Sequence, residues 1–297
     1  MNIDKLYDSV REKGHVCVGL DTSVEYVPPK EREKFSCGAQ AVLAYNKALI
    51  DATYDVAACY KVQIAYYEEM GIEGLRAYGE TLKYLRDKKC LIIADIKRGD
   101  IADTALRYAR AHFSGDFEAD FVTLSPYMGM DSIEPWLKEA QKNGKGAFVL
   151  MRTSNPGMKD FQYLETREDD RAHQHTPRLY HAVGDKMTKL AKENAGKSGY
   201  GIFGVVVGCT EKEEAAFIRK KYAELFFLIP GYGTQGGAAA DAAVLLREGN
   251  GGVVNASRSI ITAWKAENIA NADNADAAHA ARKAAVKMRD EILEEVK

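Results

Sequence analysis

Between Leu91 and Ala105 the chain reads LIIADIKRGDIADTA. Leu91-Ile92-Ile93-Ala94 is a short apolar run of the kind that forms a buried strand. It runs straight into Asp95, Lys97, Arg98, Asp100 and Asp103. Residues i and i+2 of a strand share a face, so Asp95 and Lys97 are expected to point one way and Ile96 the other. Gly99 permits a turn, and Asp100-Ile101 opens a helical pattern. A carboxylate, an ammonium and a second carboxylate are thus crowded at the carboxyl end of a buried strand. Unpaired buried charge is costly, so stability alone does not place them there. Such a trio can be a strand-end ion pair capping the next helix, or it can work on a substrate. The longer pattern D-x-K-x-x-D-I-x-x-T, from Asp95 to Thr104, points to a site.

These residues need a scaffold. The chain has 297 residues, which suits one (β/α)8 barrel of ~250 residues with insertions. Eight apolar strand candidates recur: His15–Leu20, Ala57–Ile64, Cys90–Lys97, Phe121–Ser125, Ala147–Arg152, Ile202–Gly208, Leu225–Pro230 and Gly252–Ala256. Between them lie amphipathic segments at Gly38–Thr53, Tyr66–Lys88, Ile101–Phe113, Met130–Asn143, Thr176–Asn194, Glu211–Lys221 and Gly237–Arg247, and Ala275–Val296 closes the chain. Strands alternating with helices imply a parallel sheet. With no second composition block, a single TIM-barrel domain over 1–297 is expected. The runner-up is an open doubly wound sheet, but the first strand lacks the GxGxxG turn of a dinucleotide fold. About fifty residues separate strands five and six, more than one helix and its two loops need. The polar half, Lys159–Thr176, is read as a surface insertion after strand five, either a lid or decoration. Asp21–Cys37, with Pro28-Pro29 and charged Lys30–Lys34, is read as a surface connection.

Composition narrows the function. Hydrophobic residues make up 46% and charged residues 28%, ordinary for a globular protein. A net charge of −2 argues against a nucleic-acid binder, which shows a basic face. The mixed-charge N-terminus, MNIDKLYDSVREKG, has no apolar signal core. No apolar run approaches the ~20 residues that span a bilayer. The five cysteines, Cys17, Cys37, Cys59, Cys90 and Cys209, are odd in number and widely spaced. Cys17, Cys59, Cys90 and Cys209 lie in apolar, strand-like runs and read as reduced core cysteines of a cytoplasmic protein, not a disulfide framework. His173-x-His175 lies in a polar stretch and reads as solvated loop rather than metal site.

Barrel enzymes place their sites at the carboxyl ends of the strands. There the sequence offers Asp21 after strand one, Lys61 and Gln63 on strand two, Asp95, Lys97 and Asp100 on strand three, and Ser125 on strand four. Strand five ends in Arg152-Thr153-Ser154-Asn155-Pro156-Gly157. Asp21 could be a simple turn residue. Lys61 sits inside an apolar strand, where lysine is rarely buried without a partner, and Asp95 is the natural partner. Lys61, Asp95, Lys97 and Asp100 would form a balanced set in which each charge can survive poor solvation. Strand seven ends in the glycine-rich Pro230–Gly237, and strand eight in Asn255-Ala256-Ser257-Arg258-Ser259. Loops after strands seven and eight often hold phosphate in this architecture. Glycine-rich backbone N–H groups, Gln235 and the guanidinium fork of Arg258 would suit one.

Taken together, VGLDTS, YNKALIDAT, YKVQIAYYE, ADIKRGDIADTA, MRTSNPG, IPGYGTQGG and NASRSI resemble the orotidine 5′-phosphate decarboxylase family, in its longer bacterial branch, across essentially the whole chain. The resemblance implies decarboxylation of orotidine 5′-phosphate to UMP in pyrimidine biosynthesis, with no cofactor and no metal. It implies that Lys97 protonates C6 of the pyrimidine and that Asp95 sits beside the substrate carboxylate. Lys61 and Asp100 would complete the charged network and hold the ribose, with Asp21 also on the ribose. Ser154 would contact the pyrimidine, Thr153 and Asn155 being adjacent polar alternatives. Gln235 and Arg258 would bind the phosphate. The resemblance further implies a homodimer in which Asp100, Ile101 and Thr104 reach the neighbouring subunit's site. The sequence departs where Ser257, rather than the glycine of many relatives, precedes Arg258.

Two other classes remain open to test. A sugar-phosphate lyase or decarboxylase of the same superfamily would share D-x-K-x-x-D but require Mg2+; the I-x-x-T continuation and the TSNPG loop argue against it. A silent phosphate-ligand sensor would have lost Lys97 or Asp95, and both are present.

Overall fold

The computed structural model describes residues 1–166, 177–234 and 236–296. Each of the eight predicted strands forms: β1 Val16–Leu20, β2 Cys59–Gln63, β3 Ile92–Arg98, β4 Phe121–Leu124, β5 Gly146–Arg152, β6 Phe203–Val207, β7 Phe227–Ile229 and β8 Gly252–Ala256. They pair in sequence order, all parallel, and β8 returns to β1 to close a barrel. Nearly every strand residue is buried, because one face fills the barrel and the other packs under a ring of helices. That is why the strands read as continuous apolar runs rather than alternating ones.

The helices mostly fall where the 3.6-residue pattern put them, at Gly38–Thr53, Ala102–Phe113, Glu134–Asn143, Leu179–Glu193, Lys212–Lys221 and Asn274–Glu295. Three segments differ. Tyr66–Lys88 is two helices, Ala65–Glu68 and Gly71–Asp87, broken where Gly71 takes φ 67°. Gly237–Arg247 shrinks to Ala239–Ala243. Asp21–Cys37 is not merely a surface connection: Thr22, Val27 and Glu31 are buried, and it carries the turns Val24–Tyr26 and Pro29–Arg32. An N-terminal helix, Asn2–Lys13, is tied to the amino end of β4 by Asn2 Nδ2 donating to Asp120 Oδ1 at 2.7 Å.

The segment after β5 holds a helix at Met158–Phe161 and an antiparallel bridge between Glu165 and Arg178. Its predicted polar part, including His173 and His175, lies largely outside the described residues. Cys17, Cys59 and Cys209 are buried as expected; Cys90 is only half-buried, because β3 begins after it at Ile92, Cys37 is half-buried too, and all five are free thiols. No helix among the described residues is long and apolar enough to cross a membrane.

Candidate active site

Parallel register brings the charged residues together. Lys61 on β2 lies beside Gly19 on β1, and Gln63 beside Asp95 on β3. Lys61 Nζ reaches Asp95 Oδ2 at 2.7 Å and Asp21 Oδ1 at 3.1 Å. Lys97 Nζ reaches the other Asp95 oxygen at 2.6 Å. Gln63 Nε2 adds a bond to Asp95 Oδ2 at 3.0 Å. Lys61 is only 5% exposed and Asp95 4%. Burial opposes charge on both, yet their partners win. The Asp21 and Asp95 carboxylates hold the Lys61 ammonium above its usual range, and Lys61 with Lys97 holds the Asp95 carboxyl well below its own. The network is Asp21, Lys61, Asp95 and Lys97, two charges of each sign. Within this chain, the second carboxylate beside Lys61 is that of Asp21.

Neutral residues set these charges in place. Thr123 on β4 is 1% exposed, and its hydroxyl donates to Asp95 Oδ1 at 2.8 Å. Ser257 Oγ donates to Asp21 Oδ2 at 2.9 Å. Ser257 has φ −110°, so this backbone needs no glycine, and its side chain adds a hydroxyl to the network. Gly19 makes room for it, since a Cβ there would lie 1.9 Å from Ser257 Oγ. Sequence reasoning gave Thr123 no role: a threonine in a strand carries no anomaly of charge or period.

The four ionic groups open into a cavity of about 260 Å³, walled by Leu150, Val206, Leu228 and Pro230. Thr153, Ser154, Asn155 and Asn255 complete its polar rim. A flat polar ring could lie against that apolar wall and present its substituents to the rim. The Thr153–Asn155 turn is held firmly. Gln162 Oε1 accepts from Thr153 N at 2.9 Å, while Gln162 Nε2 donates to Thr153 Oγ1 at 2.9 Å. Thr153 Oγ1 donates to Asn155 Oδ1 at 2.6 Å, so its one proton is already committed. Fully buried Arg152 bonds the Gly208 and Glu211 carbonyls, and a Cβ on Gly208 would strike Ser154 at 2.9 Å.

The β7 and β8 loops meet beside the cavity, where a Cβ on Gly233 would lie 3.3 Å from Ser259 Oγ. Arg258 is exposed and begins the helix Arg258–Ile261. Three amides of the glycine loop are already spent. Those of Gly233, Gly236 and Gly237 bond within the loop, to Gly237, Gly233 and Gly231 carbonyls at 2.8–2.9 Å. Gln235 lies outside the described residues.

Three predicted residues stay out of this chain's own cavity. Asp100 is half-buried and its Oδ1 accepts from Ile101 N at 2.8 Å. Ile101 is 44% exposed, and Thr104 is exposed one helical turn on. The segment is bracketed by left-handed backbone at two non-glycine residues, Lys97 at φ 44° and Ala102 at φ 50°. Such backbone persists only where surroundings enforce it.

Comparison with known proteins fits this geometry. The family model described as "Orotidine 5'-phosphate decarboxylase / HUMPS family" matches residues 14–272. A Clostridium perfringens (strain 13 / Type A) protein named orotidine 5′-phosphate decarboxylase is 55% identical over 296 residues, covering 100% of this chain and 99% of that protein. A Petrotoga mobilis protein of the same name is 50% identical, covering 99% of each. Among solved structures, the OMP decarboxylase of Leishmania donovani is 31% identical with a TM-score of 0.74, covering 99% of this chain and 98% of that one. Eight parallel strands, a paired lysine–aspartate network at their carboxyl ends and full-length identity of this order place the chain in the orotidine 5′-phosphate decarboxylase family.

Proposed function

We propose that Lys97 is the proton donor of the family's reaction, the cofactor-independent conversion of orotidine 5′-phosphate to UMP and CO2. The observation that carries this is the 2.6 Å pair of Lys97 Nζ and Asp95 at the mouth of an apolar-walled cavity. The bond from C6 to the carboxylate breaks and its electron pair stays on C6, in an orbital the ring cannot delocalise well. The Lys97 ammonium stabilises that pair and then passes it a proton, leaving a neutral amine that solvent reprotonates. A charge already fixed beside C6 needs no reorganisation during the step, and we take this preorganisation as the main source of catalysis. Repulsion between Asp95 and the departing carboxylate is a secondary contribution.

The remaining roles follow the pattern of the site. Lys61 and Asp21 face the ribose, and Ser154 the pyrimidine. Thr153 is disfavoured for that contact because its proton is spent on Asn155. Arg258, with Gln235, takes the phosphate, whose binding energy is used to position the ring. Asp100, Ile101 and Thr104 serve the neighbouring site of a homodimer. The exposure of Ile101 and Thr104, and the absence of all three from their own cavity, support that assignment. The chain acts as one barrel domain over residues 1–297 in the cytoplasm.

The deciding experiment follows the fall in ultraviolet absorbance of orotidine 5′-phosphate with purified protein in excess EDTA. Rapid conversion to UMP is expected, and Lys97→Ala should abolish it while leaving UMP affinity largely in place. Near-normal turnover by that variant would overturn the assignment of Lys97. Activity on a sugar phosphate alone, restored by Mg2+, would overturn the substrate. Arg258→Ala should weaken UMP binding at least about tenfold, a lost charged hydrogen bond being worth ~1.5–3 kcal/mol. Unchanged UMP affinity in a titration would remove Arg258 from the phosphate site.

A further inference from the structure

Strand β3 does not run evenly through the site. Ala94 pairs with Val122 and Arg98 with Leu124, so four steps along β3 match two along β4. The surplus is taken up around Lys97, where the backbone turns left-handed at φ 44°. A bulge of this kind re-aims a side chain, and it strands the N–H groups that would have met the neighbouring strand. Here the stranded donors are those of Ile96 and Lys97. Both turn to the same atom, Thr123 Oγ1, at 3.0 and 2.9 Å.

That hydroxyl is then fully committed. A threonine oxygen has two lone pairs and one proton. The two backbone donors fill the lone pairs, so the proton must go elsewhere, and Asp95 Oδ1 stands 2.8 Å away. The same carboxylate oxygen receives Lys97 Nζ. One buried hydroxyl therefore touches the backbone of Lys97 on one side and the carboxylate that holds the Lys97 ammonium on the other.

We propose that Thr123 is a positioning residue for decarboxylation: its hydroxyl fixes the bend in β3 that turns Lys97 into the cavity and sets the plane of the Asp95 carboxylate. This rests on the reading that Lys97 delivers the proton. Valine at 123 would keep the shape and lose all three bonds. Serine would keep the bonds but lose the β-branch that stiffens χ1. Because the bonds aim Lys97 and Asp95 rather than grip the ribose or phosphate, their loss should fall on turnover and not on binding.

The test compares Thr123→Val, Thr123→Ser and Lys97→Ala in the full-length enzyme, with active sites counted by UMP titration. Thr123→Val is expected to lower kcat about 10- to 100-fold, the scale of a misplacement near 1 Å, with KM and UMP affinity within about threefold. Thr123→Ser should recover most of the loss. A purely structural role would instead reduce the fraction of folded enzyme and leave turnover per titrated site unchanged. The proposal falls if Thr123→Val keeps kcat within about threefold per site, or if serine is no better than valine. Should the valine variant not fold, Thr123→Cys, similar in size with a weak hydrogen-bonding thiol, is held to the same criteria. If Lys97→Ala turns over normally, the underlying reading fails. If it is inactive while Thr123→Val is normal, only the assignment of Thr123 fails.

Discussion

Lys61 stands between two carboxylates that would otherwise face one another across a poorly solvated space. Its removal would strand both. Lys61→Met, which keeps the stem and deletes the charge, is expected to abolish activity and to cost about 3–5 kcal/mol of stability, as for other broken buried pairs. A denaturation series would show it, and adding Asp21→Asn should return part of the loss by removing one stranded charge. An unchanged urea midpoint for Lys61→Met would mean that the pair is not buried in effect. Lys61, Asp95 and Lys97 were legible in the sequence because a charge inside an apolar run is anomalous. Asp21 was legible as a strand-end residue, though not as the partner that balances Lys61. Thr123 was invisible for the opposite reason: threonine favours strands, and its use depends on a cross-strand register that no local pattern reports. Ser257 showed only as an odd residue beside Arg258, and its bond to Asp21 needed the packing of β8 against β1.

Strands and most helices could be read because a closed parallel barrel buries its strands on both faces and its helices on one. Where the reading overran, tertiary contacts had overridden propensity. The run Gly237–Arg247 is rich in helix formers, yet the helix stops at Ala243. Beyond it, the Leu245 carbonyl accepts from buried Arg219 at 3.4 Å; Arg219 also bonds the Gly251, Tyr222 and Leu225 carbonyls and stacks on Phe227 with its guanidinium carbon 3.8 Å from the ring centre. The Leu245 carbonyl is thus held by a side chain from another helix. The segment after β5, read as lid or decoration, has a different use in its described part. Its Gln162 holds the Thr153–Asn155 turn of the cavity rim by two bonds. Gln162→Leu is therefore expected to raise KM for orotidine 5′-phosphate by roughly tenfold, two ordinary hydrogen bonds at ~0.5–1.5 kcal/mol each, with kcat changed less. Steady-state kinetics would check this, and an unaltered KM would detach the segment from the site.

Across the whole molecule, acid should act first through two buried histidines, His112 and His181. His112 lies between the Phe117 and Trp136 rings, and burial, with the charge of Arg98 adding to it, pushes its imidazole down to about 4. Burial, aided by Lys221, does the same to His181, also to about 4. Their ordinary value is 6.5, so between 6.5 and 4 the unfolded chain takes up protons that the folded chain refuses. Stability from these neutral rings is whole above that window and drains as pH falls through it, by up to about 3 kcal/mol for His112 and by less for the better-solvated His181. The Asp95 contribution has the carboxylate sign and is lost only as pH falls below its ordinary 3.8. Urea midpoints should drop between about pH 7.5 and 5, and the drop should shrink in His112→Gln; an equal drop in that variant would acquit His112. The barrel also divides its labour along the chain. Asp21, Lys61, Asp95, Lys97 and Thr123 all precede the segment after β5, while the glycine loop and Arg258 follow it. Thr166 N donates to Pro177 O at 2.8 Å, so Thr166 and Pro177 lie side by side. A genetic cut there would yield two polypeptides, one holding the proposed proton donor, Lys97, and the other the proposed phosphate anchor, Arg258. Neither could turn over substrate alone, and UMP formed by the pair would register that two fused proteins of interest had met.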